Sequence, residues 1–341
     1  MALACLASTA CGKKGDPQPP RSYAPAATRD LEVRQQGSVL IFGLGFPQTT
    51  SDGGVLPGLA AVDVWDYSLT GGTDPTLVTE ALFERGAQRL TRVEGAELGS
   101  GTTGDRLQLR IAIEPELSDD QTHLLAVRTV STTGDVSPLS NRVALRLGQP
   151  PPPPSDLGLL ARAEGVLLSW KAPEDSPAHG YHLYRKRAEE RAYAEAFHRV
   201  EPGVNEFLDS QAVFGSRYFY TVRSVASLEP LIESEAAVEA EIDYQDVFAP
   251  APPVGLTALA EDQRVRLLID PSPDQDVVGY VVFRREPGSD TFRRLNQDPI
   301  GELEYLDTGL AGGLTFLYRV SAVDGAGNQG EPSPPVEVTL R

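Results

Sequence analysis

The apolar positions of this chain fall in short alternating runs. "VLLSW" at Val166, "YHLYR" at Tyr181 and "YFYTVRSV" at Tyr218 are rich in β-branched and aromatic residues and are bounded by Pro, Gly, Asp and Ser. Side chains of a strand alternate between two faces, so such runs predict half-buried strands. Turn signals return about every ten residues, as a β-sandwich requires. Helical periodicity shows in one place, "DPTLVTEALFERGAQRL". There Asp74 and Pro75 make a helix start, and Leu77, Ala81, Leu82 and Arg85 have helical spacing.

The pattern also repeats. "PPSDLGLLARAEGVLLSWKAPEDSPAHGYHLYRK" from Pro153 and "PPVGLTALAEDQRVRLLIDPSPDQDVVGYVVFRR" from Pro252 align without a gap. Leu157 pairs with Leu256, Trp170 with Ile269, Gly180 with Gly279 and Tyr181 with Tyr280. Farther on, "EFLD" at Glu206 pairs with "EYLD" at Glu304, and "YFYTVRSV" at Tyr218 with "FLYRVSAV" at Phe316. A fixed period of this size means tandem copies of one domain. The N-terminal third reads as a stretched copy: "RDLEVRQQGSVLIFGLGFP" opens it, "AVDVWDY" takes the place of "GYHLYRK", and "THLLAVRTVSTTGDVSPLSNRV" closes it. Its insertion carries the predicted helix.

These readings place domains at residues 25–147, 155–246 and 254–341, with proline-rich linkers at 148–154 and 247–253. Proline runs form stiff, extended spacers, which predicts a beaded rod. The ordered set of motifs resembles the fibronectin type III family: a proline-rich start, "L…V.L.W", "GY.LYR", aromatic–x–Asp, "Y.Y.V.(S/A)V" and "D..GN.G.PS" at Asp324 to Ser333. The resemblance implies an all-β chain of three tandem immunoglobulin-like sandwiches. It implies a buried tryptophan at Trp170, replaced by Ile269 in the last copy and falling near Phe42 in the first. It also implies a corner tyrosine at Tyr218, replaced by Phe316 and His123. Loss of that hydroxyl removes a hydrogen bond worth roughly 0.5–1.5 kcal/mol.

Composition narrows the function. Hydrophobic residues make up 40% of the 341, enough for packed cores, and charged residues make up 23%, too few for a disordered polyelectrolyte. The net charge of −18 argues against a nucleic-acid partner, which calls for a basic surface. Cys5 and Cys11 are the only cysteines, so residues 12–341 hold neither a disulfide framework nor a thiolate zinc site.

No cofactor, metal or catalytic residue is expected. In "HGYH", His179 and His182 would point to opposite faces of a strand. "GLAGG" at Gly309 lacks the lysine and hydroxyl residue of a phosphate loop. "DPSPDQD" from Asp270 to Asp276 lacks the glutamate of a helix–loop–helix calcium loop and reads as a solvated loop. One surface pattern stands out. If Tyr181 and Leu183 point inward, Tyr184 points out, as do its counterparts Trp65 and Phe283. Phe219 and Leu317 face out on the neighbouring strand. This set reads either as a repeated binding patch or as cross-strand pairs covered by the stems of Arg185 and Arg284.

The N-terminus suggests the compartment. Small and apolar residues precede Cys11 in "LASTACGKKGDPQPP". This looks similar to a bacterial lipoprotein, with residues 1–10 the end of a signal peptide, Cys11 the lipid carrier and residues 11–24 a tether. Signal peptides begin with a basic segment and none stands here, so the coding start is expected upstream. Gly12 after the cysteine suits the outer membrane of a two-membrane bacterium. The expectation is a non-enzymatic, lipid-anchored envelope protein that binds, spaces or scaffolds. Its partners would be an unidentified protein or glycan, and the membrane through Cys11. Two alternatives stand beside it: a carbohydrate-interacting accessory protein acting through Trp65 and Tyr184, and an enzyme with its site in the insertion of the first copy, around Ser68 to Asp105.

Overall fold

A computed structural model describes residues 23–70, 72–103, 105–113, 121–174 and 179–341. The chain is all-β. Its first segment carries β1 (Glu32–Gln36), β2 (Val39–Gly45), β3 (Leu59–Leu69), β4 (Gln88–Glu94), β5 (Thr102–Thr103), β6 (Arg106–Ala112), β7 (Thr122–Ser131) and β8 (Val143–Arg146). Next come β9 (Ser155–Arg162), β10 (Gly165–Lys171), β11 (Tyr181–Arg187), β12 (His198–Val200), β13 (Glu206–Asp209), β14 (Ser216–Leu228), β15 (Leu231–Glu233) and β16 (Ala240–Tyr244). The last segment carries β17 (Gly255–Glu261), β18 (Arg264–Asp270), β19 (Val277–Arg285), β20 (Arg293–Arg294), β21 (Glu304–Thr308), β22 (Thr315–Asp324) and β23 (Val336–Thr339).

Alternation builds each core. In the first segment Leu40, Phe42 and Leu44 of β2 face Val62 and Val64 of β3 and Leu125 and Val127 of β7. In the second, Val166, Leu168 and Trp170 of β10 face Tyr181 and Leu183 of β11 and Tyr218, Tyr220 and Val222 of β14. In the third, Val265, Leu267 and Ile269 of β18 face Tyr280 and Val282 of β19 and Phe316, Tyr318 and Val320 of β22. Trp170 and Ile269 therefore occupy equivalent core positions. The Tyr218 hydroxyl accepts a hydrogen bond from the Val213 N–H at 3.1 Å. Phe316 fills the same place without one.

The "GY" motif has a steric cause. Gly180 has φ +110°, and a Cβ there would lie 2.2 Å from the Val200 carbonyl oxygen. Only glycine lets the chain enter β11 this close to the strand beside it.

The insertion is helical, but its buried face differs from the expected one. Asp74 caps a single 3-10 turn, Pro75–Leu77, by accepting from the Thr76 N–H. Thr79 then caps α1 (Glu80–Gly86), and α2 (Gly95–Ser100) follows β4. Phe83 is the residue of α1 that is buried, while Leu77 and Leu82 are exposed. Phe83 packs with Leu69, Leu124 and Leu139 on the outer face of the β3–β7 sheet, and Trp65 and Tyr67 lie against this cluster.

The expected beaded rod is corrected at its first joint. β1 pairs in parallel with β15, Gln35 opposite Ile232 and Gln36 opposite Glu233. One sheet therefore runs β12-β11-β14-β15-β1-β2-β6-β5 through two cores. The proline-rich linker does not hold the segments apart. Its first residue, Gly148, exchanges two hydrogen bonds with the Gln35 side chain.

Each of the last two cores also buries a carboxylate. Asp209 accepts from Arg185 at 2.6 Å and from the Tyr220 hydroxyl at 2.8 Å. Asp307 accepts from Arg284 at 2.7 Å and from the Tyr318 hydroxyl at 2.7 Å. Removing one partner of a buried pair leaves the other charge uncompensated. Asp209→Ala, which takes away the acid that pairs with Arg185, is therefore expected to cost about 3–5 kcal/mol of stability, read from the midpoint of urea unfolding. A cost below about 1 kcal/mol would show that solvent already satisfies Arg185.

Candidate functional site

The joint between the first two cores brings together polar groups that are far apart in sequence. Glu233 is fully buried at the end of β15. Its carboxylate accepts from His182 Nδ1 at 2.6 Å, from the Tyr184 hydroxyl at 2.7 Å and from Gln36 Nε2 at 2.7 Å. Gln36 Nε2 also reaches the Tyr184 oxygen at 3.1 Å, and the Gly37 N–H donates to the Glu233 carbonyl at 2.9 Å. Beside this knot the Glu235 carboxylate accepts from the Ser38 N–H at 2.9 Å and the Ser38 hydroxyl at 2.8 Å. Gly37, at φ +55°, sits so close that a Cβ would lie 2.1 Å from Glu235 Oε1.

A buried charge needs several donors to stay ionised. Burial by itself raises the Glu233 pKa, but the hydrogen bonds from His182, Tyr184 and Gln36 outweigh it and hold the carboxyl below its ordinary value. Burial, together with the neighbouring Glu233 charge, pushes the Tyr184 phenol well up. The Ser38 backbone hydrogen bond lowers Glu235.

The residues singled out in the sequence are placed as follows. Tyr184 lies on the outer sheet face, as the alternation requires, yet it is only 4% exposed because the first core covers it. The reading of Tyr184 as solvent-facing is corrected: its neighbours are Glu233, Gln36 and Arg223, whose guanidinium stacks 5.6 Å from the ring centre. Trp65 is half-buried against the cluster that α1 covers. The Tyr184 ring is not free to lie on a glycan surface. Phe219 is covered by Lys186, at 5.1 Å from its ring centre, and Phe283 by Arg319, at 5.5 Å. Leu317 lies between Arg285 and Glu337 in register. Arg185 and Arg284, expected to cover the outer face, turn inward to Asp209 and Asp307. They share the parity of Tyr181 and Tyr280, so strand alternation already assigns them inside. Cys11 lies outside the described residues.

The histidines serve structure in different ways. His123, almost fully buried on β7, lies 3.1 Å from both carboxylate oxygens of Asp66. His182 belongs to the Glu233 knot, whereas His179 contributes backbone hydrogen bonds to Val225 and Arg199.

A second polar cluster lies where the linker meets the last core. The carboxylates of Asp246, Asp276 and Asp324 come within 4.8 Å of one another. Among the described residues this is the one group of three acidic or metal-ligating side chains close enough to share a cation. Asp276 belongs to the loop read as solvated, and its partners come from elsewhere in the chain. The Asp324 carboxylate already accepts from the N–H groups of Ala326 and Asn328 and from the Asn328 side chain.

No family model matches the chain. It is 26% identical to exoglucanase B of Cellulomonas fimi over 321 residues, 88% of this chain and 26% of that enzyme's length. Two solved structures are similar. The FN1–FN3 domains of chicken CNTN1 share 15% identity, over 93% of this chain and 99% of that one, with a TM-score of 0.28. A two-domain fibronectin type III segment of chicken tenascin shares 15% identity, over 55% of this chain and 99% of that one, with a TM-score of 0.39. Among the described residues no helix is long and apolar enough to cross a membrane.

The pKa directions give the joint a pH window. A carboxyl held low in the docked state contributes above its free value, about 4.3, and the contribution is lost as pH falls through the docked value. A phenol held high contributes below its free value, about 10, and the contribution is lost as pH rises beyond it. Energy transfer between dyes on exposed loops of the first two segments is expected to be flat from about pH 5 to 9 and to drop in acid before global unfolding. Glu233→Ala is expected to lower it at neutral pH. Unchanged transfer in that variant would mean that the backbone pairing alone holds the joint.

Proposed function

We propose that the chain is a non-enzymatic binding and spacing module of a bacterial cell envelope, held to the membrane by lipid on Cys11. Three fibronectin type III-like domains, residues 25–147, 155–246 and 254–341, would follow a tether at 11–24 and be joined at 148–154 and 247–253. In a two-membrane bacterium the anchor would be in the outer membrane. The partner would be a protein or glycan of the envelope, and neither nucleic acid nor a cofactor enters the reading.

The observation that carries the reading is the continuous sheet through the first two cores. A parallel strand pair with a buried, fully hydrogen-bonded carboxylate fixes the angle between the two segments, which is the property a spacer needs. The buried acids of the cores are occupied in the same way: Asp209 and Asp307 each hold an arginine and a tyrosine, and Asp66 holds His123. The similarity to exoglucanase B spans about a quarter of that enzyme. A match of that extent suits a module carried beside catalytic machinery.

The anchor is tested by expression from the full upstream reading frame with an alkyne fatty acid. The protein is expected to take the label and to fractionate with membranes. Cys11→Ser is expected to lose the label and move to the soluble fraction. A labelled Cys11→Ser protein, or an unlabelled wild type, would overturn the anchor. Crosslinking from the envelope fraction then identifies the partner.

A further inference from the structure

The outer face of the first segment's β1–β2–β6 sheet is covered by the second segment, and the cover leaves a cleft. Ile41 shows this: it alternates with the core residues Leu40 and Phe42, so it faces away from the core, yet it is only 1% exposed. The cleft holds about 570 Å³, within the range of small-ligand sites. Its lining includes Arg34, Glu97, Asp105 and Arg110, and Tyr193 and Glu195 reach it from the β11–β12 connection. Arg34 also lines a second cleft of about 510 Å³, together with His182 and Tyr184.

Register explains why two arginines meet there. Arg34 is opposite Ile41 on β2, and Ile41 is opposite Arg110 on β6. The two arginines thus share one face, two strand spacings apart, roughly 9–10 Å between backbones. Among the described residues neither has an ion-pair partner. Arg106, on the same strand as Arg110, takes the nearby acids Asp30 and Glu32. Arg110 reaches only the Gln36 side-chain oxygen, at 3.4 Å, and Arg34 Nε is buried without a hydrogen-bond partner. Desolvation, and then repulsion from Arg223 and Arg34, lowers the Arg110 pKa against the pull of Glu235. The lining carries as many acids as arginines, Glu97, Asp105 and Glu195 against Arg34, Arg106 and Arg110, yet among the described residues Arg34 and Arg110 form no ion pair with them.

We propose that this cleft binds a carboxylate-bearing sugar, with Arg34 and Arg110 on the carboxylate and Tyr193 as the wall against the ring. A guanidinium fork matches a carboxylate in two parallel hydrogen bonds. The Tyr193 ring is held for the purpose: its hydroxyl donates to Glu239 at 2.7 Å, its edge meets Tyr184 and one face is taken by Lys186 at 4.8 Å. The acids Glu97, Asp105 and Glu195 of the same lining decide against an apolar anion, which brings no donors to them. A polyhydroxylated ligand gives each of them hydroxyl groups to accept from. The inference stands apart from the spacer reading, since a fixed joint without ligand would still space.

The test is calorimetric titration of the full chain at low salt with trigalacturonate, and with cellotriose as the uncharged comparison. Trigalacturonate is expected to bind and cellotriose not to. Arg34→Gln is expected to weaken binding at least tenfold, and Arg34→Lys, which keeps charge but loses the fork, nearly as much. Thermal unfolding checks that each variant is folded, and Arg110→Gln takes the place of any that is not. No binding of trigalacturonate, equal binding of cellotriose, or unchanged binding by a folded Arg34→Gln protein would each overturn the proposal.

Discussion

A strand at the edge of a sheet carries a row of N–H and C=O groups that must find partners. In this chain the β1 edge of the first segment and the β15 edge of the second satisfy each other. Once their backbones are a hydrogen bond apart, a charge buried between them is cut off from water and depends on partners within the joint. Glu233 can stay charged there because three donors converge on it. Gly37 suits the turn at φ +55°, and a Cβ there would push the Glu235 side chain off Ser38. The covered face over Ile41, and the cleft that remains beside it, follow from the same pairing.

Within the cores a different polar device recurs, and its variation is informative. Asp209 and Asp307 each hold an inward arginine and a tyrosine from the neighbouring strand. In the first segment the place of Arg185 is taken by Asp66 and that of Tyr218 by His123, and the two pair with each other. The acid has moved from the strand that receives the arginine to the strand that carries it, and a base has appeared opposite. The core keeps a closed polar contact while its parts change places. A buried charge left alone costs far more than a rearranged pair.

Much of the fold was legible from the sequence. Period-two alternation marked the strands of all three cores, and the repeat identified Trp170 with Ile269 and Tyr181 with Tyr280 as equivalent inner positions. Alternation gives the face of a side chain but not what lies over that face. Alternation therefore puts Tyr184 on the outside of its sheet, where the first core and not solvent covers it. The inward turn of Arg185 and Arg284 followed from parity, but their charge suggested the surface. A signal for the joint was also present. The last copy ends its long strand with the turn "DGAGN" at Asp324, whereas the second reads "ASLEPLIE" from Ala226, an apolar stretch that extends β14 and returns as β15. Its partner β1 lies some two hundred residues away, and no local pattern shows that pairing. No local pattern joins the three aspartates near the second joint either, since Asp246, Asp276 and Asp324 share no motif.

The two joints differ in kind. The first is built from backbone pairing and a buried, satisfied carboxylate, so opening it would expose an unpaired edge and take from Glu233 and from Tyr184 the hydrogen bond that Gln36 gives each. The second is held by fewer and more exposed contacts. Asn328 reaches the Asp246 carbonyl at 3.2 Å, the Ala251 N–H reaches the Asp274 carboxylate at 2.6 Å, and the Pro250 carbonyl rests where a Cβ of Gly330 would be. Against these contacts stand three carboxylates within 4.8 Å of one another, whose mutual repulsion grows as water is excluded between them. Closing the first joint completes the hydrogen bonding of Glu233, whereas closing the second concentrates charge of one sign. The chain thus fixes the angle between its first two cores by hydrogen bonding, and sets the cost of approach of the third by electrostatics.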